Sequence, residues 1–456
     1  MENETMQSPS SKTDDSKTPL FYYGWVIVGV GFFTLGVAFG IWYSFSVFFL
    51  AIIREFGWSR AAASSIFSVF VVCQALTAVM AGHLQDRFGP RVVIPVGTVI
   101  LAISLVLTSQ VQSLWHFRIA YGILAGSSLS LLGFASHSAF IPKWFERQRG
   151  LAMGVTMSGI GFGMLFLVPL VEKSITLYGW RNTYMYLAFL VLFLIGPLNL
   201  IFTRKSPVEL NLLPDGDHSG ARKKSSSPAV SMVIVDREWA ETNWTLRSAI
   251  RTKRFWWLVI AFGFGSYVYQ GALLHAIPAM VDSGLNRETA AYYFGILGMC
   301  GAMGKILFGY LSDVVGRERI NALAGIVTII GITSLMYLTI LEGPVMPLLF
   351  AVAFGLGYGA AAPLFPSVSA DIFLGSSFGV IFAMICMGSG LGGSLGSYLS
   401  GWLFDTSGNY KLALLICNTA ILISCLFIWI AGPRKVRKMV RTPKAKLKCP
   451  ELHLKD

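Results

Sequence analysis

A lysine in the middle of an apolar stretch needs a reason to be there. Lys305 stands in the stretch 290–309, eight residues before Asp313, or ~12 Å along a helix. A cation at that depth in hydrocarbon is costly unless water, an acid or an anionic ligand meets it. No Asp or Glu stands in the middle of any apolar stretch to serve as a fixed partner. Lys305 is therefore a candidate anion-binding residue, the alternative being that its long stem carries the ammonium to the interface. Arg118, with Gly122 and Gly126 behind it, is a second cation with the same two readings. His275 is placed to hydrogen-bond a ligand or to titrate near neutrality, or else to be a satisfied structural histidine. His116 and His137 read as structural. Tyr43, Phe134 and Tyr358 are candidates for lining a cavity, with packing as the plain alternative for each.

Other chemistries find no support. No Ser/His/Asp arrangement, zinc-ligand spacing or Walker loop occurs, so the sequence implies no enzyme, no metal and no cofactor. Glycine-rich runs at Ser158-Gly159-Ile160-Gly161 and Ser389-Gly390-Leu391-Gly392 lack the preceding strand of a dinucleotide site, and close helix packing explains them better. The six cysteines show no CxxC spacing; five fall in apolar stretches and read as small buried hydrophobes. Several buried amides and acids, the signature of a sugar carrier, are not evident.

The elements that must hold these residues are membrane helices. Of 456 residues, 54% are hydrophobic and 13% charged, and mean hydropathy is +0.64, which excludes an ordinary soluble globule. Twelve apolar windows between residues 25 and 432 are each long enough to cross a ~30 Å hydrocarbon core. The division expected is a polar N-terminal tail 1–21 that is no signal peptide, a six-helix bundle 22–203, a linker 204–254, a second six-helix bundle 255–432 and a basic tail 433–456. Within the linker, 244–254 alternates apolar and basic residues and suits a short interfacial helix. Alternating sides from a cytoplasmic N-terminus leaves Arg54, Arg60, Lys173, Arg181, Arg287 and Lys411 outside and Arg118 and Lys305 within helices, with the other 28 of 36 Lys and Arg inside. The positive-inside rule then favours both termini in the cytoplasm. The net charge of +13 is thus a topology signal, with anionic lipid as the natural partner of the tail and nucleic acid excluded.

The two halves share a loop. Gly82-His83-Leu84-Gln85-Asp86-Arg87-Phe88-Gly89-Pro90-Arg91 is echoed 227 residues later by Gly309-Tyr310-Leu311-Ser312-Asp313-Val314-Val315-Gly316-Arg317. The glycines permit a tight turn. Asp86 and Asp313 are expected to cap the following helix or to pair with an arginine of the neighbouring bundle as an inner latch. Repeats of this kind suit two bundles rocking about one central site.

The first of these loops resembles the GxLxDRxGxR signature of the major facilitator superfamily, met by Gly82, Leu84, Asp86, Arg87, Gly89 and Arg91. The stretch from Trp144 to Gly159, with Gly163, is similar to the helix 4 to 5 signature of monocarboxylate transporters and their oxalate/formate antiporter relatives. Tyr23-Gly24-Trp25, His275 with Pro278, and Gly401 to Asp405 with Gly408 and Tyr410 agree. The resemblance implies the twelve-helix facilitator fold in a cell membrane, inner or plasma. It further implies a secondary carrier for small organic anions such as lactate, pyruvate, formate or oxalate, by proton symport or by exchange. Its rivals are a carrier of another solute (drug, sugar or inorganic anion) and a non-transporting sensor; an accessory chain is left open. This sequence departs from the family in having Leu20 at an acidic position, Tyr43 at a helix 1 lysine, Gly301 at a helix 8 acid, and Lys305 at a helix 8 arginine. The last exchange turns a bidentate fork into a point charge.

Overall fold

The computed structural model describes residues 22–145, 148–210, 212–216, 230–338, 343–375 and 377–441. Its membrane-crossing elements are α1 (Tyr23–Phe56), α2 (Arg60–Phe88), α3 (Pro90–Ser109) and α4 (Leu114–Lys143), followed by the long stretch Leu151–Phe202. In the second half come α7 (Lys253–Asp282), α8 (Arg287–Val315), α9 (Arg317–Met336), α10 (Val345–Phe373), α11 (Phe378–Ser407) and α12 (Lys411–Ala431). The stretch Leu151–Phe202 has 52 residues, ~78 Å of helix, more than twice the ~30 Å hydrocarbon core. It breaks at Gly179, whose φ of +80° and ψ of 158° are not helical, and therefore counts as two crossings, α5 (151–178) and α6 (180–202). Among the described residues the twelve windows thus become twelve helices able to cross a membrane.

Local sequence sets the ends. Ser59, Thr252 and Asn286 accept hydrogen bonds from the first turns of α2, α7 and α8, satisfying donors that a helix start leaves free. The repeated loops end α2 and α8 in the same way. Gly89 (φ +75°) and Gly316 (φ +111°) both occupy backbone space that favours glycine.

The glycine-rich runs are packing surfaces. A Cβ at Gly159 would collide with the Phe32 carbonyl and one at Gly163 with the Gly36 carbonyl, so α5 lies backbone to backbone on α1. Gly392 and Gly396 of α11 stand the same way on Gly263 and Tyr267 of α7. Four-residue spacing of small residues gives this close approach in both halves. The halves meet through α2 on α11, α5 on α8 and α1 on α7.

Both ends of the described chain and the linker gather on one face, here the terminal face. Tyr22 and Trp144, Asp215 and Trp144, and Arg434 and Glu318 are joined there. The linker carries two short helices, Arg237–Glu241 and Leu246–Ile250, the second with a Thr245/Ser248 capping box, in place of one continuous interfacial helix over 244–254. Its strand β1 (Val230–Ile234) pairs antiparallel with β2 (Arg437–Arg441) of the tail, Ile234 opposite Arg437. Neither five-residue strand is long enough to declare itself in sequence, and the partners are some 200 residues apart.

Candidate functional site

Lys305 projects from α8 between two packed stripes. Gly298 and Ala302 face α5 at Met164 and Gly161, while Gly301 and Gly304 face α10 at Tyr358 and Leu356. Met303, Ile306, Leu307 and Tyr310 cover the exposed side. Standing three residues beyond Ala302 and four beyond Gly301, Lys305 shares the seam between these stripes and points to the interior where the halves meet. The helices are tight there, since a Cβ at Gly359 would lie 2.9 Å from the Lys305 backbone nitrogen. The side chain is half-buried, and among the described residues no hydrogen bond or ion pair holds its ammonium.

Two predicted aromatics come together beside it. The hydroxyls of Tyr43 on α1 and Tyr358 on α10 are hydrogen-bonded across the halves. Tyr269 packs edge-on to Tyr358 with ring centroids 5.3 Å apart, and Trp42 stacks parallel to Tyr43 at 5.5 Å. Between this cluster and the terminal face lies a cavity of ≈ 290 Å³, lined by both halves, with Phe39, Gln74, Ser130, Ser266, Gln270 and Cys386 in its wall. Gln85, Asn199 and Asn321 are buried, which corrects the expectation that buried amides are lacking, and Gln74 and Gln270 are half-buried in the cavity wall. Each is a lone amide inside an apolar window, and hydropathy averaging hid both. The side chain of Phe134 lies outside the described residues.

The distal side of the seam is sealed by charge. Arg60, at the start of α2, grips Asp282 at the end of α7 with two contacts of 2.7 and 2.9 Å. Asp405 at the end of α11 accepts the backbone N–H of Arg60 (2.9 Å) and of Ala61 (2.7 Å). The Arg60 guanidinium lies 3.6 Å from the Phe404 ring centroid and donates to Tyr410. His275 continues the chain, with Nε2 3.0 Å from the Ser397 carbonyl and Nδ1 2.9 Å from the Tyr410 hydroxyl. A carbonyl only accepts, so Nε2 carries the proton and Tyr410 donates to Nδ1. Both nitrogens of His275 are therefore engaged by protein groups in this conformation, and the ring is 2% exposed. Arg118 donates from Nε and Nη2 to Ser65 Oγ, at 3.0 and 2.8 Å. The structure thus does not bring His275 or Arg118 to Lys305. In the sequence Arg60, Asp282 and Asp405 stand only as charges near the ends of apolar stretches, because their partnership depends on three separate helices.

The repeated loops differ from expectation in one respect. Asp313 pairs with Arg317 of its own loop at 2.6 Å, and Arg317 also reaches Asp371 at 3.3 Å. Among the described residues Asp313 meets no arginine of the neighbouring bundle, and α9, whose N-cap is Gly316, has no side-chain cap. Asp313 and Arg317 stand four residues apart across the Gly316 turn, close enough in sequence to pair locally. Arg91 donates to the Leu200 carbonyl at 3.0 Å, and Arg87 lies over Phe88. Gly82 has open space and Gly309 ordinary contact with Pro363. The Asp86 side chain lies outside the described residues.

The Major Facilitator Superfamily model matches residues 31–397. Monocarboxylate transporter 13 of Bos taurus is 26% identical over 400 residues, covering 88% of this chain and 87% of that protein. Human monocarboxylate transporters 12 and 11 are 27% and 28% identical, covering 92% and 90% of this chain and 82% and 83% of theirs. Among solved structures, a bacterial homolog of the human lysosomal transporter Spinster, in an inward-facing and occupied conformation, superposes with a TM-score of 0.63. It is 17% identical and covers 90% of this chain and 97% of that one.

Proposed function

We propose that this chain, which belongs to the Major Facilitator Superfamily and is a multi-pass membrane transporter, carries small organic anions, monocarboxylates such as lactate or pyruvate, by alternating access. The observation that carries this reading is Lys305, an interior cation with no protein partner among the described residues, on the seam of the two halves. A carboxylate supplies the charge that would otherwise be left alone in low dielectric. The names of the monocarboxylate transporters similar to it support the same class of substrate. With the basic linker and tail in the cytoplasm, the terminal-side cavity faces inward and the Arg60 cluster is the outer gate. The repeated loops at Asp86 and Asp313 act as the inner gate when the cycle reverses. Residues 22–203 and 255–432 are then the two rocking units.

Uptake of radiolabelled mono- and dicarboxylates into proteoliposomes tests the reading. Lys305→Ala and Lys305→Gln abolish saturable uptake while the protein remains folded, and Lys305→Arg keeps part of it. Wild-type flux from the Ala variant removes Lys305 from the site. Coupling follows from a second arm, an imposed pH gradient with no internal substrate. Robust accumulation means proton symport, whereas uptake only into preloaded vesicles means anion exchange.

A further inference from the structure

The cavity between the halves holds more than a bare carboxylate needs. Gln270 follows Tyr269 on α7 and lines the cavity, while Lys305 stands one turn beyond Gly301, which faces Tyr358, the ring on which Tyr269 packs. Its Oε1 is buried without a hydrogen-bond partner, and no described hydrogen bond engages its Nε2. A buried amide atom left unpaired costs about 1–3 kcal/mol, and native interiors rarely leave one unless a ligand or water completes it. Because nothing fixes the amide plane, rotation presents either the N–H or the C=O to the cavity. The Gln270 Cγ and the Ser266 hydroxyl converge on one spot, where each would stand 2.8 Å from a Cβ added at Gly393. Gln74 faces the same space from α2 of the other half. Ser130, by contrast, is already spent on the Gln74 carbonyl at 2.8 Å.

Among the described residues the wall contains no acid and no cation. It offers no opposite charge to an ammonium group or a second carboxylate, and two amides and a hydroxyl to an uncharged group that both donates and accepts. At ≈ 290 Å³ the space is at the lower end of small-molecule sites.

We propose that Gln270, assisted by Ser266 and Gln74, is a specificity determinant that selects monocarboxylates bearing an uncharged hydrogen-bonding substituent, a hydroxyl or an amide, over plain alkanoates of the same length. This rests on Lys305 holding the carboxylate. The reverse orientation is disfavoured because a carboxylate placed at the amides leaves the Lys305 ammonium alone.

The test uses matched acids, lactate against propionate and 3-hydroxybutyrate against butyrate, in proteoliposomes of the full chain. The wild type prefers the hydroxy acid by about tenfold in kcat/KM, the worth of one good hydrogen bond, and Gln270→Leu brings the ratio close to one. Cys386 in the cavity wall gives a readout independent of flux and of any variant. In the wild type the hydroxy acids protect it from a thiol reagent, read by peptide mass, at about tenfold lower concentration than the alkanoates do. Equal handling of both members of each pair by the wild type, or the same preference retained in Gln270→Leu, overturns the inference and leaves the carboxylate reading standing. No uptake of any of the four acids, with Cys386 unprotected, removes the carboxylate reading and this inference with it.

Discussion

Asp405→Asn should loosen the distal seal without disturbing either bundle. The Asp405 carboxylate accepts two backbone N–H groups at the first turn of α2, at 2.9 and 2.7 Å, and so ties the end of α11 to the start of a helix in the opposite half. The amide keeps the shape and one acceptor oxygen, but it loses the charge and one of the two bonds. A hydrogen bond to a charged group contributes about 1.5–3 kcal/mol, and a carboxylate at a helix N-terminus adds about 0.3–1 kcal/mol. Partial solvation at this rim trims the sum, leaving about 1.5–2 kcal/mol. At about 1.4 kcal/mol per tenfold, the outward-open population rises at least about tenfold. The reporter is Ser64→Cys in a background with the other cysteines replaced, because Ser64 is fully buried in the seam and touches His275 at 3.3 Å. Membrane-impermeant maleimide applied from the distal side should label this position about tenfold faster with Asp405→Asn than without it. Labelling within twofold of the parent refutes the view that this cluster holds the outer gate shut.

Gly163→Ala puts a methyl group into the Gly36 carbonyl, and overpacking of this kind costs about 1–3 kcal/mol. Thermal unfolding in detergent should show a clear drop in Tm, whereas Gly154→Ala, with no neighbour within 4 Å, should leave it unchanged or slightly raised. Arg437, 8% exposed, donates to the carbonyls of Ala370, Asp371 and Ala240 at 2.9–3.2 Å. Arg437→Ala should release the tail from the terminal face and speed trypsin cleavage at its basic residues severalfold, and an unchanged cleavage rate rules out this anchoring. Tyr43→Phe removes the hydroxyl pair with Tyr358 at about 1 kcal/mol, and inward closure, followed as labelling of Cys386, should slow by no more than about fivefold. A larger effect assigns Tyr43 a direct role with substrate.

Much of this was written in the sequence, because hydropathy and glycine spacing are local properties. The twelve crossings, the matching loops around Gly89 and Gly316, and the packing role of Gly159 and Gly392 all follow from neighbours within a turn or two. Lys305 was legible for the same reason, since a charge amid apolar residues is conspicuous wherever the helix ends up. What the tertiary structure decided are the meetings between distant segments. Tyr43 and Tyr358 are 315 residues apart and share a hydrogen bond, and Arg60 draws on α7, α11 and the turn before α12 for Asp282, Asp405 and Tyr410. The same assembly turned His275 into a link in the distal cluster and brought Gln74 and Gln270 from opposite halves to one cavity. Periodicity fixes which face of a helix is apolar but not which helix it meets; that depends on how all twelve pack together, and the chemistry of this molecule lies in those meetings.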